Sequence, residues 1–321
     1  VQRTGNIAVR GSAVFNAFDL NIGGSKEVSK RHFSNSQKHP NFARKKNTMI
    51  LRKVFLFVGF VGLLAACKND PKSDDMTQFG EDKEFQAIHG LPDSINFKPQ
   101  GRMTQFNAPG TQNGQAYIVR TQQPSNKYLL VFHEWWGLNQ YIQREADRLF
   151  NELKDVNVVA IDLYDGKRAK TAEEATQYMS AVNDSRANAL IGGILNMAGP
   201  DAKIATVGWC FGGGWSLKGA ILGADRVKGA VMYYGMPVQN AGELAPLQAE
   251  VLGIFAKKDQ WITPEVVDKF EDLAKATGKT LQVQEFDADH AFANPSQPSF
   301  DKTEAAKANE LALNFLKEKL Q

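Results

Sequence analysis

Cysteine and histidine are scarce in this 321-residue chain, with two and five copies, and that scarcity removes whole classes of function. Two cysteines cannot make a disulfide-rich scaffold. The histidines beyond residue 66 are His89, His133 and His290. No two of them stand at H-E-x-x-H or finger-like spacing, so no metal, structural or catalytic, and no other cofactor is expected. There is no G-x-x-x-x-G-K-[ST] loop, and Gly212-Gly213-Gly214 lacks the G-x-G-x-x-G spacing, so nucleotide binding is not indicated. A long apolar run is also missing. The run Val54 to Ala66 has 13 uncharged residues, short of the about 20 that a membrane-spanning helix needs. Basic character is scarce too once its location is considered. Of 38 Lys+Arg and 35 Asp+Glu, residues 1–53 hold 11 and 2, so the net +3 of the whole chain becomes 27 against 33, or −6, from Cys67 onward. A nucleic-acid partner is therefore not expected.

What is present at the start reads as targeting. Met49-Ile-Leu-Arg52-Lys53 is basic, Val54 to Ala66 is apolar, and Leu64-Ala65-Ala66-Cys67 ends the run with small residues before a cysteine. That is the layout of a secretory signal, and it resembles the bacterial lipobox, which implies that Cys67 is lipidated. The expected division is residues 1–48 as a non-native upstream extension or disordered leader, 49–66 as a lipoprotein signal peptide, 67–84 as the lipidated cysteine and a solvated tether, and 85–321 as one domain. The expected location is the bacterial cell envelope, with a lipid anchor at Cys67 as the contact with membrane. No dimerisation signal is visible.

Past the tether, Pro109-Gly110 and Asn113-Gly114 supply turn chemistry for a hairpin within Arg102 to Arg120. Apolar runs then recur at 128–132, 156–161, 204–207, 227–233 and 251–256. Amphipathic stretches at 140–153, 172–182, 185–197, 264–276 and 302–320 alternate with them. Continuous apolar strands, each followed by a helix, predict an α/β fold with a mostly parallel sheet and helices on both faces. In such a sheet the active site forms outside the carboxyl ends of the strands.

One turn stands out. Gly208-Trp209-Cys210-Phe211-Gly212, entered from Lys203-Ile-Ala-Thr-Val207, has the form of a nucleophile elbow with cysteine in the serine position. Free cysteine is usually a small buried hydrophobe, but Asp259 follows the run 251–256 and His290 follows the strand-like 280–286. That is the nucleophile, acid, histidine order of α/β-hydrolases. Cys210 would attack as thiolate, His290 would act as base, and Asp259 would orient the imidazole. Asp287 and Asp289 are alternatives to Asp259. The helix after Cys210 and His290 together should hold the thiol below the free value of about 8.5.

With His133-Glu134-Trp135-Trp136-Gly137 after a strand and His290-Ala291-Phe292 near the end, the stretch from about Gly101 to the C-terminal helix resembles the dienelactone hydrolase (carboxymethylenebutenolidase) family. The resemblance implies an α/β-hydrolase fold. It also implies a role for Glu134 in activating Cys210 by proton exchange, and an oxyanion hole from the backbone N–H groups of Trp135 and Phe211. Trp136, Trp209 and Asn294 are the candidate pocket residues. Two arginines that bind the substrate carboxylate in the family pattern are missing, with Gly166 and Asn294 in their places. Lys167 or Arg168 could replace one of them. The expectation is a hydrolase for a small ester or lactone, preferably neutral. The alternatives are a thioesterase or acyltransferase using the same site, and a binding lipoprotein without turnover.

Overall fold

A computed structural model of the chain describes residues 75–321. The leader, the signal-like segment and Cys67 lie outside the described residues. The elements are α1 (Lys83–Ile88), β1 (Arg102–Phe106), β2 (Gly114–Val119), β3 (Lys127–Phe132), α2 (Gln140–Leu153), β4 (Asn157–Ile161), α3 (Ala172–Ala181), α4 (Asp184–Ala198), β5 (Lys203–Trp209), α5 (Phe211–Gly223), β6 (Val227–Tyr233), α6 (Ala241–Leu244), β7 (Glu250–Ala256), α7 (Pro264–Ala276), β8 (Leu281–Phe286) and α8 (Lys302–Lys319).

The strands form one eight-stranded sheet in the order β1-β2-β4-β3-β5-β6-β7-β8. β1 and β2 make the expected hairpin, with Phe106 opposite Gly114, and β2 also runs antiparallel to β4. Every other pairing is parallel. β3 is the only strand between β4 and β5, and its interior residues Leu129 to Phe132 are wholly buried. This is why the central strands read as unbroken apolar runs: covered on both faces, they have no water-facing side on which to alternate.

Two helical groups cover the sheet. α2 and α8 touch each other, α2 also packing on β2 and β4 and α8 on β6 and β7. α4 and α5 touch each other, and α5 packs on β3, β5 and β6. Helix starts carry chemical signals. Asn139 accepts from the N–H groups of Tyr141 and Ile142, Asp301 accepts from Thr303 and Glu304, and proline opens α7. Among the described residues no helix is long and apolar enough to cross a membrane.

The described part of the expected tether is not solvated throughout. Met76 is buried on α5, and at the first residue of the expected domain Phe85 in α1 is fully buried against the sheet's catalytic end. Burying those two side chains gives the segment about 1.5–3 kcal/mol each relative to exposure, enough to hold it down.

Candidate active site

The site is assembled at the carboxyl ends of β3, β5, β7 and β8, each supplying one group. Cys210 sits between β5 and α5 with φ +53° and ψ −122°, a conformation that costs a non-glycine residue of order 1–3 kcal/mol. Its neighbours explain why the sequence there is mostly glycine. A Cβ on Gly208 would overlap the Gly212 carbonyl, and one on Gly212 would overlap the carbonyls of Phe132 and His133. The turn is pinned by Cys210 N–H donating to the Tyr233 carbonyl and Gly213 N–H donating to the Cys210 carbonyl. The Phe211 N–H faces the Cys210 sulfur.

Asp259 and His290 form a buried pair, with His290 Nδ1 2.6 Å from Asp259 Oδ2. Asp259 Oδ1 accepts from the N–H groups of Trp261 and Ile262, which fixes the carboxylate. Burial raises the cost of its charge, yet His290 and these two N–H groups hold Asp259 below the usual range. Burial also disfavours a charged His290, but Asp259 and then Cys210 hold its pKa up at about 10. Asp287 pairs with Lys258 at the surface, so it is not the partner of His290.

Cys210 is 1 % exposed. Burial pushes its thiol up, against the pull of His290. This corrects the expectation of a thiol more acidic than free cysteine, because desolvation outweighs the helix terminus and the imidazole. No hydrogen bond of ordinary geometry joins His290 Nε2 to the sulfur, yet the two groups lie close enough to act on each other's protonation.

Glu134 follows β3 and is also buried; burial raises its pKa to about 7, with His290 and Asn294 opposing. Asn294 Nδ2 donates to Glu134 Oε2. Asn294 therefore holds Glu134, rather than standing free for a substrate. His133 steadies the same loop, with Nδ1 2.8 Å from the Glu134 carbonyl and Nε2 accepting from the Leu163 N–H. Tyr164 Oη donates to the Trp135 carbonyl.

Sequence reasoning missed one residue in the site. His89, at the end of α1, brings Nε2 to 3.7 Å from Cys210 Sγ while its Nδ1 lies 2.7 Å from the Phe85 carbonyl. Burial and then His290 lower its pKa to about 3, so the ring is neutral. Phe85 packs edge-on against the rings of Trp135 and Trp261 and at a tilt against those of His89 and His290. α1 is tied down by Trp261 Nε1 donating to Asp82 and by Gln86 Nε2 donating to the Gly80 carbonyl. Together these residues roof the nucleophile.

A cleft of about 500 Å³ lies beside Glu134, walled by Tyr141, Arg144, Glu145 and Arg148 of α2, Trp209, Asn294, and Lys302 and Asn309 of α8. Trp209 and Asn294 are both brought to this cleft. Trp136 is not, because it faces a separate groove with Leu91 and Arg168. Nor do the proposed substitutes for the missing arginines reach the cleft. Lys167 lies over the Tyr178 ring, and Arg168 Nε donates to the Leu138 carbonyl. The cations of the cleft come from elsewhere. Arg148 is held in a two-bonded pair by Glu145, whereas Arg144 and Lys302 have no acidic partner among the described residues.

The sequence model of the dienelactone hydrolase family matches residues 115–320. The chain belongs to the dienelactone hydrolase family. Such hydrolases explain the sheet, the elbow and the order of the acid and histidine together. A protein of Aquifex aeolicus (strain VF5) provisionally named carboxymethylenebutenolidase is 27 % identical over 232 residues, which are 68 % of this chain and 98 % of that protein. Among solved structures, a dienelactone hydrolase-like promiscuous phosphotriesterase from metagenomic libraries superposes with a TM-score of 0.59 at 20 % identity, covering 69 % of this chain and 98 % of its own. The dienelactone hydrolase of Anabaena variabilis ATCC 29413 gives 0.52 at 17 % identity, covering 70 % and 100 %. These structural likenesses establish the α/β-hydrolase fold. The protein is a hydrolase of this family.

Proposed function

We propose that this hydrolase cleaves small esters or lactones through an acyl-enzyme on Cys210. The observation that carries this reading is the positive-φ cysteine of the elbow beside a buried Asp259–His290 pair, an arrangement whose backbone strain and buried charge have no use in a simple binding protein. In the resting site Cys210 is a thiol and His290 an imidazolium. Glu134, with a pKa of about 7, takes the thiol proton. The thiolate then attacks the carbonyl carbon, the C=O electron pair moves to oxygen, and the Trp135 and Phe211 N–H groups stabilise the oxyanion. As the intermediate collapses, the C–O bond to the leaving group breaks and His290 gives that oxygen its proton. Neutral His290 next removes a proton from water, which attacks the thioester and releases the acid. The returning thiolate regains its proton from Glu134, closing the balance.

The signal-like segment supports a second part of the proposal. Cys67 is lipidated and anchors the enzyme in a bacterial cell envelope, so Cys67→Ser releases it from membranes. The test of the chemistry is a screen of p-nitrophenyl esters and small lactones with wild-type and Cys210→Ala protein. Electrospray mass measurement after rapid quenching then looks for an acyl adduct. Hydrolysis that survives in Cys210→Ala removes the mechanism.

A further inference from the structure

His89, Cys210 and His290 come from three distant parts of the chain, yet their donor atoms lie within 4.8 Å of one another in a fully buried cluster. His89 Nδ1 is spent on the Phe85 carbonyl, and His290 Nδ1 on Asp259. In each ring Nε2 is therefore the nitrogen turned toward the sulfur. His290 Nε2 is buried without a hydrogen-bond partner, a costly state for a polar atom in a native interior.

We propose that Zn²⁺, or a divalent ion of similar softness, binds His89 Nε2, Cys210 Sγ and His290 Nε2, clamping α1 over the nucleophile and silencing it. A tetrahedral zinc with these donors has donor–donor edges of about 3.3–3.6 Å. The His89–Cys210 edge, 3.7 Å, is already there, and the third donor, within 4.8 Å of the other two, needs to close by up to about 1.5 Å. Two imidazoles and a thiolate suit zinc's borderline character and leave one tetrahedral position for water. The outer contacts are those that metal-bound histidines use, a carboxylate behind His290 and a backbone carbonyl behind His89, each fixing the tautomer that leaves Nε2 free. Binding releases one proton from the Cys210 thiol and one from the His290 imidazolium to solvent. The bound ion holds the attacking sulfur and the imidazole at once, so neither can take part in acyl transfer. Metal binding stands on the three donors alone, whereas silencing rests on the hydrolase reading above.

The test uses the full chain carrying Cys67→Ser, so that Cys210 is its only thiol, reduced and stripped with a chelator. Titration with Co²⁺ should give one equivalent of tetrahedral visible absorption, with a sulfur-to-cobalt charge-transfer band that Zn²⁺ displaces and Cys210→Ser removes. His89→Gln should weaken Co²⁺ affinity at least about 100-fold. Zn²⁺ should slow alkylation of Cys210 at least tenfold and suppress ester hydrolysis, reversibly with chelator. If His89→Gln does not fold, X-ray absorption at the zinc edge should count one sulfur and two imidazoles in the parent chain. A missing charge-transfer band, unchanged affinity in His89→Gln, or a shell with fewer than two imidazoles overturns the site. A normal cobalt spectrum with no hydrolysis even in metal-free protein sinks the hydrolase reading and leaves the site standing. Hydrolysis unaffected by saturating Zn²⁺ overturns silencing.

Discussion

A buried thiol beside an imidazolium–carboxylate pair is pulled two ways, since burial favours neutral sulfur and the imidazolium favours thiolate. In the closed site burial wins, and the Cys210 thiol is pushed above its ordinary value. Asp259 and then Cys210 hold the His290 pKa up at about 10, so the proposed acceptor of the thiol proton is Glu134, the buried carboxyl whose charge acts on the sulfur. The pH dependence follows with a definite sign. Glu134 must be ionised to accept a proton, so kcat/KM should rise with pH through about 7. His290 must be charged to protonate the leaving group, so activity should fall as pH approaches about 10. In Glu134→Gln the acid limb should vanish and kcat should drop by about 10²-fold; an acid limb unchanged in that variant would give the proton to some other acceptor. Cys210→Ala should keep the fold, read by circular dichroism, and lose hydrolysis by about 10⁴-fold or more, because members of such a set act as a unit. That Cys210, Asp259 and His290 would be brought together was legible from their order and from the glycine-flanked turn. The state of the thiol was not, since it depends on a roof built by a segment more than a hundred residues away in the chain.

At the scale of elements, what could be read was what has a period. The central strands and the long helices α2, α7 and α8 fall where apolar runs and amphipathic patterns put them, within one or two residues at each end. α1 could not be read this way. Its six residues are too few to establish a helical period, its flanks are charged and turn-rich, and it straddles the expected boundary between tether and domain at residue 85, so no element was read there. Its structure comes from tertiary contacts, above all Phe85 wedged between Trp135, Trp261 and His290. The same contacts close the site, so an element with no periodic signal of its own covers the thiol. Phe85→Ala should remove the wedge. Iodoacetamide should then label Cys210 at least tenfold faster than in wild type, with labelling followed by peptide mass, while the protein loses about 3 kcal/mol of stability in urea unfolding. A thiol that labels quickly in the wild type would mean that α1 does not seal the site.

The whole molecule sets the charge that a substrate meets. From Cys67 onward the chain is net negative, yet the cleft beside Glu134 presents Arg144 from α2 and Lys302 from α8 without acidic partners among the described residues. These helices are far apart in sequence and meet only because both pack on one face of the sheet. For that reason the two cations could not be read as a pair from spacing, and the absence of arginines at positions 166 and 294 pointed to a neutral substrate. The cations of the assembled cleft motivate the opposite prediction. Cations facing a low-dielectric wall in an otherwise acidic protein focus the field on anionic ligands, and a charge-assisted hydrogen bond from a guanidinium is worth about 1.5–3 kcal/mol. An ester bearing a carboxylate should therefore show a higher kcat/KM than its neutral methyl-ester analogue, by roughly tenfold at low salt. Arg144→Ala should erase most of that ratio while changing the neutral compound little. Raising ionic strength should compress the ratio in wild type, since the steering part of the attraction is screened within a Debye length of about 10 Å at 0.1 M. Measuring both substrates in both proteins at two salt concentrations decides the matter. An equal loss on the two compounds in Arg144→Ala would make that residue a structural part of α2, and a neutral preference in wild type would show that the positive wall does not face the bound ester.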